Sequence, residues 1–547
     1  MGISVLLGRL LALSSALVTA DSTFSTKGST KSYPVSVNGI DLKTASAKVI
    51  TDALANRTVT SLDLVDAYIQ RLAANDQEGL TLRSFIEIAP TAHEIARGLD
   101  AERASGKVRS AIHGLPIVVK DAYNTDMELG MNSTAGSYAL LQGSHAKSDA
   151  FVIKQLRDAG AIILGKANQD EWSGQRGANN ASAWSARGGR MSAAYVEGGF
   201  AAGGDPGGSS GGPAVAVSAG FAAASLGTDT EGSIVSPASR AGLFGLRPST
   251  GMTSRTGVIP ISSSQDTTGP LAKSVWDIAA ILEIMAVHDP ADLYSEAADP
   301  FRQKNYTQFL DANGFQGLRI GVPREPFWNE TQFGYRSAIN PGVDATLERL
   351  ASLGAQVIDP VVMPNADRWR YAFVGGVVRD TAGRAQIQYD LKTDMANYLT
   401  TQRTNTTGME SLFDIISFND AHANLEFPPG ICCQDAFVAA DQLGSKNSSA
   451  EYWWGKFQQQ QLNEEGIEYV FRHYDLDVLL VPTEGAASRL GAVGRLPVGN
   501  VPVGQDEIGL PFGMSFVGKR YDEPMVLRAM SAYEAHFPAR PVPSLLD

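Results

Sequence analysis

Leu115-Pro116-Ile117-Val118-Val119-Lys120 is short, β-branched and uncharged until its last residue, the pattern of a strand buried on both faces. Outward from it the same grammar recurs. Ser148 to Asp158 has helical periodicity, Ala161-Ile162-Ile163-Leu164-Gly165 reads as a second buried strand, and Lys166-Ala167-Asn168 as the turn beyond it. Upstream, Ser61 to Leu72 keeps apolar residues at helical spacing behind a Ser61 cap, and a second helix is expected over Ala89 to Ala104. Downstream, dense glycine from Gly188 to Gly212 marks a loop system. The small residues of Pro213 to Ala224 then suit a closely packed helix. Asp475 to Pro482 and Gly509 to Gly518 read as late core strands, with a closing helix near Glu523 to Ala535. Helices alternating with buried strands predict a layered α/β fold with a largely parallel sheet. No linker, charge block or repeat divides the 547 residues, so a single large domain is expected against the prior of about 150 residues per domain.

Composition narrows the classes. Hydrophobic residues make up 44% of the chain and charged residues 19%, as in an ordinary globular protein. A net charge of −13 with no Lys/Arg cluster excludes a nucleic-acid partner, because phosphate binding needs a basic footprint. Residues 1–20 read as a signal peptide: Leu10 to Val18 is apolar, and Val18-Thr19-Ala20 resembles a cleavage site before Asp21. Sequons at Asn56, Asn132, Asn180, Asn305, Asn329, Asn405 and Asn447 fit a secretory route, so a secreted glycoprotein is expected, with a cytoplasmic protein as the alternative. After residue 20 no apolar run reaches the roughly 20 residues that span a bilayer, so no transmembrane segment is expected. The adjacent Cys432 and Cys433 exclude a disulfide framework and a four-cysteine zinc site; whether they form a vicinal disulfide or two thiols stays open.

Three segments can carry chemistry. A serine hydroxyl needs a base within hydrogen-bond reach. A lysine serves as that base only when neutral, a state that burial at the end of an apolar strand favours. Lys120 is so placed, although the sequence alone also allows a solvated lysine paired with Asp121. Gly207-Gly208-Ser209-Ser210-Gly211 matches G-x-S-x-G, but a nucleophile elbow needs a strand before it, and Phe200 to Pro206 is a loop. In Thr228-Asp229-Thr230-Glu231-Gly232-Ser233-Ile234 a tight turn can aim successive backbone N–H groups at one spot, as an oxyanion hole requires. The seven histidines include no H-E-x-x-H and no close pair, leaving a metal site or a Ser-His-Asp triad without local support; His113 alone lies near Lys120.

Taken in order, Gly114-Leu115-Pro116, Lys120-Asp121, Ala135-Gly136-Ser137, Gly207 to Gly212 and Gly227-Thr228-Asp229 with Gly232-Ser233-Ile234 resemble the amidase signature family. Leu164 to Asn168 with Glu171-Trp172, Gly245-Leu246-Arg247-Pro248, and Gln265 to Pro270 extend the likeness over nearly the whole of 21–547, with a signature core at about 110–275. The resemblance implies a large mixed, mostly parallel sheet sandwiched between helices. It also implies a Ser-cisSer-Lys triad: Ser233 the nucleophile, Ser209 the bridging serine after a cis peptide, Lys120 the base. Backbone N–H groups of Thr230, Glu231, Gly232 and Ser233, together with Ser210, would face the oxyanion and substrate. The implied enzyme hydrolyses a small-molecule carboxylic amide as a monomer or homodimer, with no cofactor and no metal. The alternatives are a non-catalytic binding protein and a glutamine-amidotransferase-like subunit. Two departures stand out. Glu231 replaces a usual glycine and is expected to point away or be shielded; Val235 and Ser236 stand where many members carry an arginine that in some contacts a carboxylate substrate. Pocket walls are expected from Glu325 to Gln332 and Tyr371 to Phe418.

Overall fold

Every residue of the strand Pro116–Lys120 is buried. Since successive side chains of a strand point to opposite sides, burial of all five means that both faces of the sheet are covered here. The computed structural model describes residues 33–547 except 178–181, 334–335 and 372–383. The expected signal segment, Asn180 and part of the Tyr371 to Phe418 stretch lie outside the described residues.

One mixed sheet organises the molecule. Its eleven strands are β1 (Phe85–Ile88), β2 (Pro116–Lys120), β3 (Ile162–Ala167), β4 (Ala224–Asp229), β5 (Phe244–Arg247), β6 (Thr267–Ala272), β7 (Arg319–Gly321), β8 (Gln356–Ile358), β9 (Val478–Pro482), β10 (Val498–Gln505) and β11 (Pro511–Gly518). Across the sheet the order is β8-β7-β9-β11-β10-β5-β6-β4-β2-β3-β1. The parallel expectation holds in two blocks: β2 lies between β3 and β4, and β7 between β8 and β9. Between and beside them the neighbours are antiparallel. One continuous hydrophobic core runs from Ile40 to Leu546, so the chain forms a single domain.

Several elements sit differently from their sequence reading. The helix Ser61–Asn75 is capped by Thr60, whose side chain accepts from Asp63 N–H while Asp63 returns the bond, a capping box that leaves Ser61 as a buried first-turn residue. The next helix is Ala92–Ala104, preceded by β1. The alanine-rich stretch expected as one helix ends at Ser218 and re-emerges as β4 from Ala224, because hydrogen bonding to β2 and β6 on its two sides outweighs the helical preference of alanine. Lys166 and Ala167 belong to β3 instead of the turn after it. Asn132 donates to Glu87 Oε1 at 3.0 Å from a part-buried position, which is a poor glycan acceptor. The Cys432 and Cys433 sulfurs are bonded to each other. Among the described residues, no helix is long and apolar enough to cross a membrane.

Candidate active site

Because β2, β3 and β4 run parallel, their carboxyl ends meet at one edge of the sheet, where open α/β sheets place their ligands. Each end delivers one part of the site. β2 ends in Lys120, β3 leads into 168–176, and β4 ends in Thr228-Asp229 and turns through Thr230 to Ser233.

Lys120 is fully buried. Its Nζ lies 2.6 Å from Ser209 Oγ, 2.8 Å from Thr228 Oγ1 and 3.3 Å from Ser173 Oγ. Burial lowers its pKa to about 7, against the opposing pull of Asp170, Asp229 and Asp266, so near neutral pH a large fraction of the amine is unprotonated. The solvated Lys120–Asp121 pair that the sequence allowed is not formed. The Asp121 carboxylate instead binds the backbone N–H of Thr134 at 3.2 Å and of Gly136 at 3.0 Å.

Ser209 follows a cis peptide bond from Gly208. The loop is pressed onto its neighbours: a β-carbon at Gly208 would stand 2.1 Å from Asp170 Oδ2, so any side chain there would have to displace the Asp170 carboxylate. Asp170 N–H donates to Ser209 O at 3.1 Å, and Ser210 N–H donates to Ser233 O at 3.2 Å. The peptide after Ser209 is thereby tied to Ser233.

Inside the turn, Asp229 acts as the organiser. Its Oδ1 accepts from Gly232 N–H at 2.6 Å and from Arg247 Nη1 at 2.5 Å, while Oδ2 accepts from Ile234 N–H at 2.8 Å. Gly232 adopts φ +103°, and a β-carbon there would meet Ser488 Cβ at 2.4 Å. Thr230 Oγ1 donates to Asp266 Oδ1 at 2.6 Å. Glu231 forms an ion pair with Arg489, which turns its carboxylate toward a cation and neutralises it, as expected of a shielded acid.

Two expected site residues are placed differently. The Gly232 N–H is held by Asp229, which narrows the donors available for an oxyanion to the N–H groups of Thr230, Glu231 and Ser233. Ser210 is fully buried, with its hydroxyl donating to Thr228 O at 3.2 Å, so it braces the turn. Val235 is buried as the first residue of the helix Val235–Arg240. His113 is spent on the Leu99 carbonyl at 3.0 Å. Phe327, expected on a pocket wall, packs edge-on against Trp369 in the core at 5.3 Å between ring centroids. Sequence reasoning missed Asp170, Ser173, Asp229, Arg247, Asp266 and Arg489. All but Arg489 lie within or beside quoted motifs; for Asp170, Asp229, Arg247 and Asp266 an acid or arginine in such a motif was the available signal, and for Ser173 there was none.

The arrangement is a buried amine of lowered pKa on the Ser209 hydroxyl, in a segment tied by its backbone to Ser233 beside a turn rich in N–H groups. A family model described as Amidase matches residues 63–496. The chain belongs to the amidase family. It is 33% identical over 499 residues to a probable amidase of Arabidopsis thaliana, covering 90% of each chain. It is 32% identical over 507 residues to one subunit of the glutamyl-tRNA(Gln) amidotransferase of Chloroflexus aurantiacus, covering 88% of this amidase-family chain and 94% of that one. Among solved structures, the native peptide amidase of Stenotrophomonas maltophilia superposes with a TM-score of 0.82 at 36% identity, over 92% of this chain and 98% of that one.

Proposed function

We propose that this amidase-family enzyme hydrolyses a carboxylic amide through an acyl-enzyme on Ser233. The observation that carries the reading is the 2.6 Å contact between the buried Lys120 amine and Ser209 Oγ, in a segment bonded to Ser233 through Ser210 N–H. Neutral Lys120 takes the Ser209 proton as Ser209 takes that of Ser233, and Ser233 Oγ attacks the amide carbon. The N–H groups of Thr230, Glu231 and Ser233 hold the oxyanion of the tetrahedral intermediate; one such donor is typically worth about 2.7–4 kcal/mol. When the C–N bond breaks, the leaving nitrogen takes the proton back from Lys120 through Ser209. Water then attacks the acyl carbon, delivers a proton by the same route, and releases the carboxylic acid.

Peptide amides are the first substrates to test, given the likeness to a peptide amidase over nearly all of both chains. The reading includes cleavage of residues 1–20, for which N-terminal sequencing of the mature protein should begin at Asp21. Ser233→Ala is expected to lose at least about 10³-fold in kcat on an aryl amide or a peptide amide, and to escape labelling by a fluorophosphonate probe that marks the parent enzyme. Full activity in that variant would sink the mechanism.

A further inference from the structure

Lys120 has three oxygen neighbours, and only one of them belongs to the proposed relay. Thr228 stands at the end of β4. Ser173 stands in a segment whose backbone is hard to explain otherwise. Trp172 has φ 51°, ψ 36° and Ser173 has φ 54°, ψ 30°, two consecutive left-handed residues that both carry a β-carbon. The surroundings hold them there. Trp172 is fully buried, its N–H donates to Ala135 O at 3.0 Å, its carbonyl accepts from Gln175 N–H at 3.0 Å, and its ring meets Phe437 edge-on at 5.6 Å. On either side, Glu171 and Arg176 form a buried ion pair at 2.6 Å, and Arg176 also donates to Glu426 O at 2.9 Å. Outliers so clamped gather at functional sites. What this one delivers is the Ser173 hydroxyl, to the vicinity of the Lys120 amine.

We infer that Ser173 is a positioning residue: together with Thr228 it takes the two N–H bonds of neutral Lys120 and so aims the nitrogen lone pair at the Ser209 hydroxyl. The inference rests on the reading of Lys120 as base. A neutral amine has two protons and one lone pair, and an ammonium has three protons. With acceptors at 2.8 and 3.3 Å and Ser209 at 2.6 Å, both states are satisfied without moving a heavy atom. Proton transfer then needs only the Ser209 hydrogen to cross. The charged groups that act on this amine are Asp170, Asp229 and Asp266, none of which the substitution below removes.

Ser173→Gly separates positioning from structure, because glycine accepts a left-handed backbone while deleting the hydroxyl. The variant should melt no lower than the parent enzyme. Its kcat should nevertheless fall about twofold to tenfold with KM unchanged, the cost of one hydrogen bond made to the base. The acid limb of its kcat/KM profile should move to lower pH, since a lost acceptor withdraws more support from the ammonium than from the amine. Ser173→Ala should show the same kinetic signature at lower stability. Lys120→Met, run alongside, separates the two readings. If that variant is inactive while Ser173→Gly and Ser173→Ala keep the parent kcat and acid limb, Ser173 does not position the base and the inference is overturned alone. If Lys120→Met is fully active, the proposed mechanism falls and the inference with it.

Discussion

Lys120 and Lys166 leave neighbouring parallel strands one register apart: Val119 pairs with Lys166, and Lys120 with Ala167. Both side chains are fully buried. Burial is the chief cause of a lowered pKa in each, to about 7 for Lys120 and about 8 for Lys166. Each also meets a serine: Lys166 Nζ lies 2.8 Å from Ser133 Oγ. The difference lies in what else the amine touches. Lys166 donates to the Tyr123 carbonyl, a group with no proton to give, and Ser133 Oγ accepts from Thr125 N–H at 3.1 Å inside the protein. The Ser133 carbonyl is in turn held by Arg403 at 2.8 Å. Lys120 is ringed by hydroxyls instead, and the segment beside it leads to the partly exposed Ser233. Desolvation lowers an amine's pKa and so leaves it neutral near pH 7; on the proposed mechanism it serves as a base only where its hydroxyl partner connects to a reachable nucleophile.

Exchanging the two amines in turn is the strongest way to break this comparison. Lys120→Met is expected to lower kcat by at least about 10³-fold, because the proposed relay then has no terminus for its proton. Lys166→Met is expected to keep kcat per folded molecule within about tenfold, but to cost about 1–3 kcal/mol in a urea titration, since it strips the Tyr123 carbonyl of a buried donor. Equal kinetic losses would erase the distinction. The two serines repeat it one atom further out. Ser209→Ala should be nearly inactive, whereas Ser133→Ala should remain active and only modestly less stable, measured by the same assay and titration.

The pH profile sharpens the same point. In the proposed relay Lys120 acts when unprotonated, and its pKa is depressed from the ordinary 10.5 to about 7. Hence kcat/KM should rise with pH about tenfold per unit below pH 7 and level off above it. An ordinary exposed lysine would keep the rate rising beyond pH 10. A profile with no inflection near 7 would show that the group limiting catalysis is not this amine.

Much of this site was legible in sequence because it rests on local devices. Lys120 at the end of an apolar strand, and the glycine-dense Gly207 to Gly212, announce themselves by residue type and order. What stayed hidden is what depends on strand pairing. Nothing near Thr228 says that β4 lies between β2 and β6, which brings its hydroxyl to Lys120. Likewise the Asp229–Arg247 contact joins residues from non-adjacent strands, β4 and β5, and explains why Gly232 N–H is occupied. The alternating directions across the middle of the sheet were equally invisible, since a buried strand reads the same whichever way its neighbours run. Ser173 was missed for a different reason: its left-handed backbone belongs to a segment held by the contacts of Trp172 with Phe437 and of Glu171 with Arg176, and no local residue preference predicts it.

The smallest expected effect concerns the charge at Glu231 in the turn proposed to hold the oxyanion. Glu231 is paired with Arg489, both of them partly exposed. Arg489→Ala would leave a carboxylate unpaired beside the developing oxyanion. It should lower kcat about threefold to tenfold with little change in KM, an effect that weakens as added salt screens the charge. Replacing the acid as well, in Arg489→Ala/Glu231→Gln, should restore most of the loss, because the backbone N–H at 231 survives both changes while the repelling charge does not. A double-mutant cycle read in kcat gives the coupling directly. Additive losses would mean that Arg489 acts on the site by another contact, and that the turn tolerates an uncompensated acid. Rescue would identify this ion pair as the compensation that lets glutamate stand where the family usually places glycine.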